Sequence, residues 1–182
     1  LSPVQQLDVF VRARYPVIWI VSQEETRVES SVLGLLQGSP KHQHKEILTW
    51  TISKGIRTAD QPGQEYGPQD PITALQFAGE YGVTEEAPKG TPAVFVFKDL
   101  HPYLQDPRVV RALRDVIGDL TATQRTVIVI DATLSIPEEC KRQVAVIEWP
   151  LPSIEELAGM LDDFIADLPS AVECKLNGDR EQ

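Results

Sequence analysis

Cysteine is scarce: Cys140 and Cys174 are the only two in 182 residues, far apart and outside any CxxC spacing. That excludes a disulfide framework and a thiolate zinc site and leaves two reduced structural thiols as the expectation. No stretch approaches the roughly 18 consecutive apolar residues that a membrane span needs, and no basic-then-apolar leader opens the chain. A cytoplasmic domain without a membrane span is expected. Lysine and arginine never line up in a stripe with interleaved aromatics, so a phosphate backbone finds no basic face and nucleic acid is a poor partner. The phosphate-loop pattern GxxxxGK followed by Ser or Thr is absent as well. So is an initiating methionine: the chain opens on Leu1 and closes on a polar run over 176–182, and the expectation is a piece of something longer.

What is present suffices for one domain. The apolar fraction of 42% over 20.3 kDa can fill a single core. The formal net charge of −10 is unevenly placed. Residues 1–59 carry seven basic against five acidic side chains and residues 91–149 seven against eight. Residues 60–90 carry one against six and residues 150–182 two against eight, so the acidity belongs to one loop region and to the last helix with its tail. Such runs are solvated surface, not a cation site.

Hydrophobic periodicity supplies the elements. An amphipathic helix with Leu7, Phe10 and Val11 opens the chain, and the run 17–21 is continuously apolar and β-branched, as a strand buried on both faces should be. Ser22 and Glu25 have capping-box spacing ahead of the apolar stripe Val28, Val32, Leu35 and Leu36, with Gly38 and Pro40 closing that helix. A second strand over 47–52 leads through Lys54-Gly55 into a loop over 59–69, too rich in polar residues, Pro and Gly to pack. Asp70-Pro71 and Asp106-Pro107 each place a cap before a proline at the first helical position. The helices they open are separated by a third strand over 93–97 and followed by strands over 126–130 and 144–147. Ser153 and Glu156 form a further capping box ahead of Leu157, Met160, Leu161, Phe164 and Ile165. Strands alternating with helices predict an α/β fold: a doubly wound, mainly parallel five-stranded sheet with helices on both faces. The expected organisation is one domain over 1–182, with its core over 1–168 and a polar tail, or the start of a lid or linker, over 169–182.

Ligands of such sheets bind beyond the carboxyl ends of the strands, which selects Ser22 to Arg27, Lys54, Lys98 to His101 and Asp131 to Leu134. The turn after the first strand contains no glycine, and Glu24 and Glu25 complement the helix dipole themselves while repelling a triphosphate. The run Ala93 to Asp99 has the form of a strand ending in an acidic pair, but Lys98 replaces the first acid, so a magnesium ligand is lacking and Lys98 beside Asp99 reads as a surface ion pair. Ser22, His101 and Asp131 could supply a hydrolytic triad, yet no GxSxG elbow surrounds Ser22, whose better use is capping. His42 and His44 mimic a metal pair; their flanking lysines and the want of a nearby carboxylate favour a solvated loop. No catalytic residue and no metal ligand is assigned. Lys98, Asp99 and Arg142 are the candidates for residual nucleotide contact.

The ordered combination of Arg12-Ala13-Arg14-Tyr15-Pro16, Val96-Phe97-Lys98-Asp99-Leu100-His101, Leu104-Gln105-Asp106, Ile136-Pro137-Glu138-Glu139 and Val146-Ile147-Glu148-Trp149-Pro150-Leu151-Pro152 resembles the N-terminal half of a AAA-type ATPase family found in cyanobacteria and algal plastid genomes. The resemblance covers residues 8–168. It implies a RecA/AAA-like fold with a degenerate P-loop, followed in the intact protein by a working ATPase domain that uses ATP and Mg2+. It also implies a homo-oligomer, a cytoplasmic or plastid-stromal setting, and a role in regulating photosynthesis and inorganic-carbon use. By the same likeness Ala132-Thr133-Leu134 stands at a sensor-1 turn, with Leu134 where Asn is usual, and Lys141-Arg142 near an arginine-finger position that would act only in trans. The expectation is a non-catalytic assembly or partner-recognition module needing no cofactor of its own. The rivals are a nucleotide-binding enzyme domain that draws charge from Lys54, Lys98 or Arg142, and a stand-alone binding domain.

Overall fold

The computed structural model describes residues 1–59, 66–121 and 123–167. The expected polar tail over 169–182 lies outside them. The chain divides into two compact units, Leu1–Trp149 and Pro150–Gln182.

The first unit is built on a sheet in the order β3-β2-β4-β5-β1-β6. Its strands are β1 (Val17–Val21), β2 (Glu46–Thr51), β3 (Gly55–Thr58), β4 (Ala93–Lys98), β5 (Arg125–Asp131) and β6 (Val144–Glu148). All neighbours are parallel except β2 and β3. The parallel sheet and its five expected strands are present; the sixth, β3, is a correction to the count. It was hidden because Gly55-Ile56-Arg57-Thr58 offers one apolar side chain, too few to show period-two alternation. Gly55 makes the hairpin possible. Its φ is +66°, and a Cβ there would stand 2.6 Å from the Gly67 carbonyl oxygen.

Alternation of side chains across the strands produces two cores. On one face Trp19, Phe95, Phe97, Val127 and Val129 pack with α3 (Pro71–Glu80) and α4 (Pro107–Leu120). On the other, Ile18, Ile20, Val94, Val96, Ile128 and Ile130 pack with α1 (Pro3–Arg12) and α2 (Glu25–Gly38). The caps at Asp70 and Asp106 form as expected: Asp70 accepts the Thr73 N–H at 2.9 Å and Asp106 the Arg108 N–H at 2.8 Å.

Two local expectations are overturned. Ser22 does not cap α2; the N-cap is Glu24, without a side-chain cap bond, and Ser22 Oγ accepts the Glu24 N–H at 3.1 Å in a tighter local turn. The described part of the 59–69 loop does pack: Tyr66 and Gly67 donate their N–H groups to the Ile56 carbonyl, and Trp50 Nε1 donates to Gln69 O at 3.0 Å.

In the second unit, Ser153 and Glu156 close the expected capping box and open α5 (Ile154–Asp167). Leu157, Met160 and Phe164 along it are exposed.

A buried cation braces the first unit. Arg125, 2% exposed, sends Nη1 to the carbonyls of Gly79 at 2.5 Å and Ala78 at 3.2 Å at the end of α3. These are carbonyls that a helix terminus leaves without intrahelical donors. Burial pulls the Arg125 pKa below its ordinary value, against the opposing pull of Asp119. Arg125→Met, which keeps volume and removes the donors, is expected to lower the unfolding free energy by about 2–3 kcal/mol, measured by urea denaturation.

Candidate functional site

The carboxyl ends of β1, β4 and β5 lie at one level, because Val21 is in register with Asp131 and Lys98 with Ile130. Beyond that edge the chain leaves through Ser22, Asp99 and Ala132, and the candidate residues gather on two sides of the sheet.

On the α2 side stands Lys98. It follows Val94 and Val96 in the pleat and so faces α2, where its Nζ lies 3.0 Å from Glu25 Oε1 and 2.9 Å from Glu29 Oε2. The expected Lys98–Asp99 pair is not formed, because successive residues leaving a strand point to opposite faces. Burial lowers the Lys98 pKa, but the two carboxylates outweigh it and the net shift is upward. The Lys98 side chain is only 15% exposed, and its ammonium is held as a cation. Arg27, the other cation of this turn, pairs with Glu24 at 2.6 Å. Positive charge at the start of α2 is thus matched by carboxylates of the same helix.

On the opposite side stand His101 and Asp131. His101 opens a short 3-10 helix (His101–Gln105), and its Nδ1 lies 2.7 Å from Asp131 Oδ1 while its backbone N–H donates to Oδ2 at 3.2 Å. The Asp131 side chain is fully buried. Burial pushes its pKa above the ordinary value, His101 partly counteracts this, and Asp99 adds to it. Asp99 itself is exposed, with φ at +55°.

Of the three residues weighed as a triad, two therefore meet. The third does not, since Ser22 Oγ accepts the Glu24 N–H, and Ser22 approaches Asp131 only through its N–H on the Asp131 carbonyl at 2.8 Å. Arg142 lies elsewhere, exposed in the 3-10 helix Lys141–Gln143 that precedes the amino end of β6, and Lys141 pairs with Glu138. Lys54 is exposed in the β2–β3 turn. In the turn after β5, where the family resemblance led a sensor-1 position to be expected, the Thr133 carbonyl accepts Trp19 Nε1–H at 3.3 Å and Leu134 is exposed.

His42 was misjudged by sequence alone. It is 1% exposed, with Nε2 2.9 Å from Asp8 Oδ1, so the carboxylate that seemed wanting comes from α1, 34 residues earlier. Its other ring nitrogen, Nδ1, is buried without a partner. Nothing in the Lys-His-Gln-His-Lys run could announce a partner so far away in sequence. Only His44 fits the expected exposed loop, where it touches Gln124.

The pH response of Asp131 follows from its sign. A carboxyl whose folded pKa is raised contributes stability below its unfolded value, ordinarily 3.8, and loses that contribution as pH climbs through the raised value. Against an Asp131→Asn variant, the wild type should lose relative stability as pH rises from about 3 to about 6, a window largely below the ordinary titration of histidine. Urea midpoints of both proteins across that range measure it, and an unchanging difference would contradict the buried-carboxylate assignment.

Comparison with known proteins agrees with this architecture. Residues 3–149 match the family model of the SpoVK-like AAA ATPase N-terminal domain. Two relatives are AAA domain-containing proteins designated ycf46. The one from Guillardia theta is 27% identical over 158 residues, covering 86% of this chain and 29% of the relative. The one from Trieres chinensis is 26% identical over 171 residues, covering 94% and 32%. The chain thus spans about a third of the length of these relatives. Among solved structures, a chain of the HORMA:CdnC:Trip13 complex of E. coli MS115-1 superposes with a TM-score of 0.52 at 13% identity, over 91% of this chain and 59% of that one, a likeness of fold. No helix among the described residues is long and apolar enough to cross a membrane. With its parallel sheet, its strand-end edge and a family match running almost from its first residue to the end of β6, the chain belongs to the SpoVK-like AAA ATPase N-terminal domain family.

Proposed function

We propose that this chain is a non-catalytic, ATPase-derived N-terminal module, serving assembly or partner recognition within a longer AAA-type protein whose other part binds ATP and Mg2+ and hydrolyses the nucleotide. The observation that carries the reading is Lys98 held between Glu25 and Glu29. A working phosphate site at a helix N-terminus needs N–H groups that a glycine-rich turn can bring close, and a cation available to the phosphates. Here the turn is Ser22-Gln23-Glu24-Glu25, and the nearby lysine is neutralised from within the fold. An incoming triphosphate would meet carboxylates at the helix start and would have to draw a mostly buried lysine away from two of them.

A domain that keeps the scaffold without the phosphate chemistry can still pack against a neighbour and orient it. The intact protein is read as a homo-oligomer, and the photosynthetic and carbon-use setting implied by the family resemblance belongs to that intact protein. The second reading, a nucleotide-binding domain that draws charge from Lys54, Lys98 or Arg142, is disfavoured because Lys98 is held by Glu25 and Glu29 while Arg142 precedes the amino end of β6, away from the carboxyl end of β4.

The 182-residue chain is expected to bind ATP with a Kd of about 1 mM or weaker, near −4 kcal/mol, with or without magnesium. Isothermal titration calorimetry measures it. Saturable binding at low micromolar ATP, abolished by Lys98→Met, would establish a working nucleotide site in its place.

A further inference from the structure

The cluster of Asp99, His101 and Asp131 is not used by the reading above and stands independently of it. We infer that these three side chains form a binding site for a divalent transition-metal ion of the zinc class.

Their ligand atoms all lie within 4.8 Å of one another, the only such His, Cys, Asp and Glu grouping among the described residues. The chain brings them together from two places. Asp99 and His101 leave the end of β4, and Asp131 ends the neighbouring strand β5, tied to the first by the Asp99 N–H on the Ile130 carbonyl at 3.2 Å. The spacing suits side chains that surround one ion with metal–ligand distances near 2.0–2.2 Å.

A second observation concerns charge. The Asp131 carboxylate is fully buried, and burying a carboxylate is costly unless a positive charge answers it. Asp99 adds a second negative group beside it. The lysine next in sequence, Lys98, is turned to the other face and held by Glu25 and Glu29. That leaves the imidazole of His101, which is itself a metal ligand, as the group on the Asp131 carboxylate. A divalent ion supplies the charge that the imidazole alone does not.

The third observation is orientation. The His101 backbone N–H holds Asp131 Oδ2 while the ring addresses Oδ1. Ligating carboxylates are characteristically fixed in this way, by a hydrogen bond to one oxygen that aims the other. On binding, the ion replaces the hydrogen bond between ring and Oδ1 as the link between the two side chains. An imidazole with two carboxylates favours zinc-class ions over Mg2+, which prefers oxygen donors and its own waters.

Zinc titration of the intact 182-residue chain against a competing chromophoric chelator tests the assignment. One equivalent of Zn2+ is expected to bind with a Kd of about 10 μM or tighter, and Mg2+ at least tenfold more weakly. Asp99→Asn and His101→Gln should each weaken Zn2+ at least tenfold. Asp99→Asn is the safer variant, because Asp99 is exposed and asparagine accepts a φ of +55° as readily as aspartate. Its melting temperature without metal checks that it is folded, and Zn2+ should raise the wild-type melting temperature more than that of the variant. The assignment is overturned if the wild type shows no stoichiometric zinc, if Mg2+ competes equally, or if both variants bind normally while His44→Gln does not.

Discussion

A parallel sheet has no face to spare for water. Each crossover returns the chain on one side or the other, so both surfaces must be apolar and both must be covered. β1 meets this demand along its whole interior, with Trp19 turned to the α3 and α4 side and Ile18 and Ile20 to that of α1 and α2. Polar groups are then pushed to the strand ends. Those of the carboxyl edge sort by parity: Lys98 goes to one core's rim and Asp131, one register step further on the neighbouring strand, to the other's, so the two clusters stand on opposite sides of the sheet. The charge pattern of the site is a consequence of the pleat.

The two clusters behave differently because their burial differs. Lys98 has two carboxylates for one ammonium, and its charge is fixed by neighbours on α2 that also satisfy the helix dipole. Asp131 has one imidazole and a nearby Asp99, in a setting where its own ionisation is resisted. A scaffold that pairs its charges internally on one side of the sheet can still present polar chemistry on the other. Fold and family alone would not separate these two roles.

The sequence disclosed most where a signal was local. The apolar β-branched strand runs and the Asp-Pro caps before α3 and α4 are written within a few adjacent residues, and each stands where the periodicity put it. Failures cluster where a residue's partner is remote or its signal short. β3 has four residues and one clear apolar side chain, and it is held by a hairpin that no pattern at its own position announces. His42 looks solvated between two lysines but is buried on a carboxylate from α1. Ser22 carries the spacing of a capping box, yet the helix begins after Glu24 and the hydroxyl serves the turn before it. At the candidate site the strand-end rule did bring Lys98, Asp99, His101 and Asp131 to one edge of the sheet. Their pairing was not legible, because adjacency in sequence made Lys98 and Asp99 look like partners when the end of a strand sends them apart.

The bracing of α3 by Arg125 bears on the order in which the fold is undone. The guanidinium can reach the carbonyls of Ala78 and Gly79 only after α3 has docked and β5 has taken its place beside β4, Arg125 standing 46 positions after Gly79 in the chain. A contact of such long sequence separation forms late in assembly and is broken early in disassembly. It therefore strengthens the barrier that the finished domain must cross to open, more than it hastens the first collapse. The arginine acts as a latch on kinetic persistence, set at the junction where helix, sheet and the start of β5 come together.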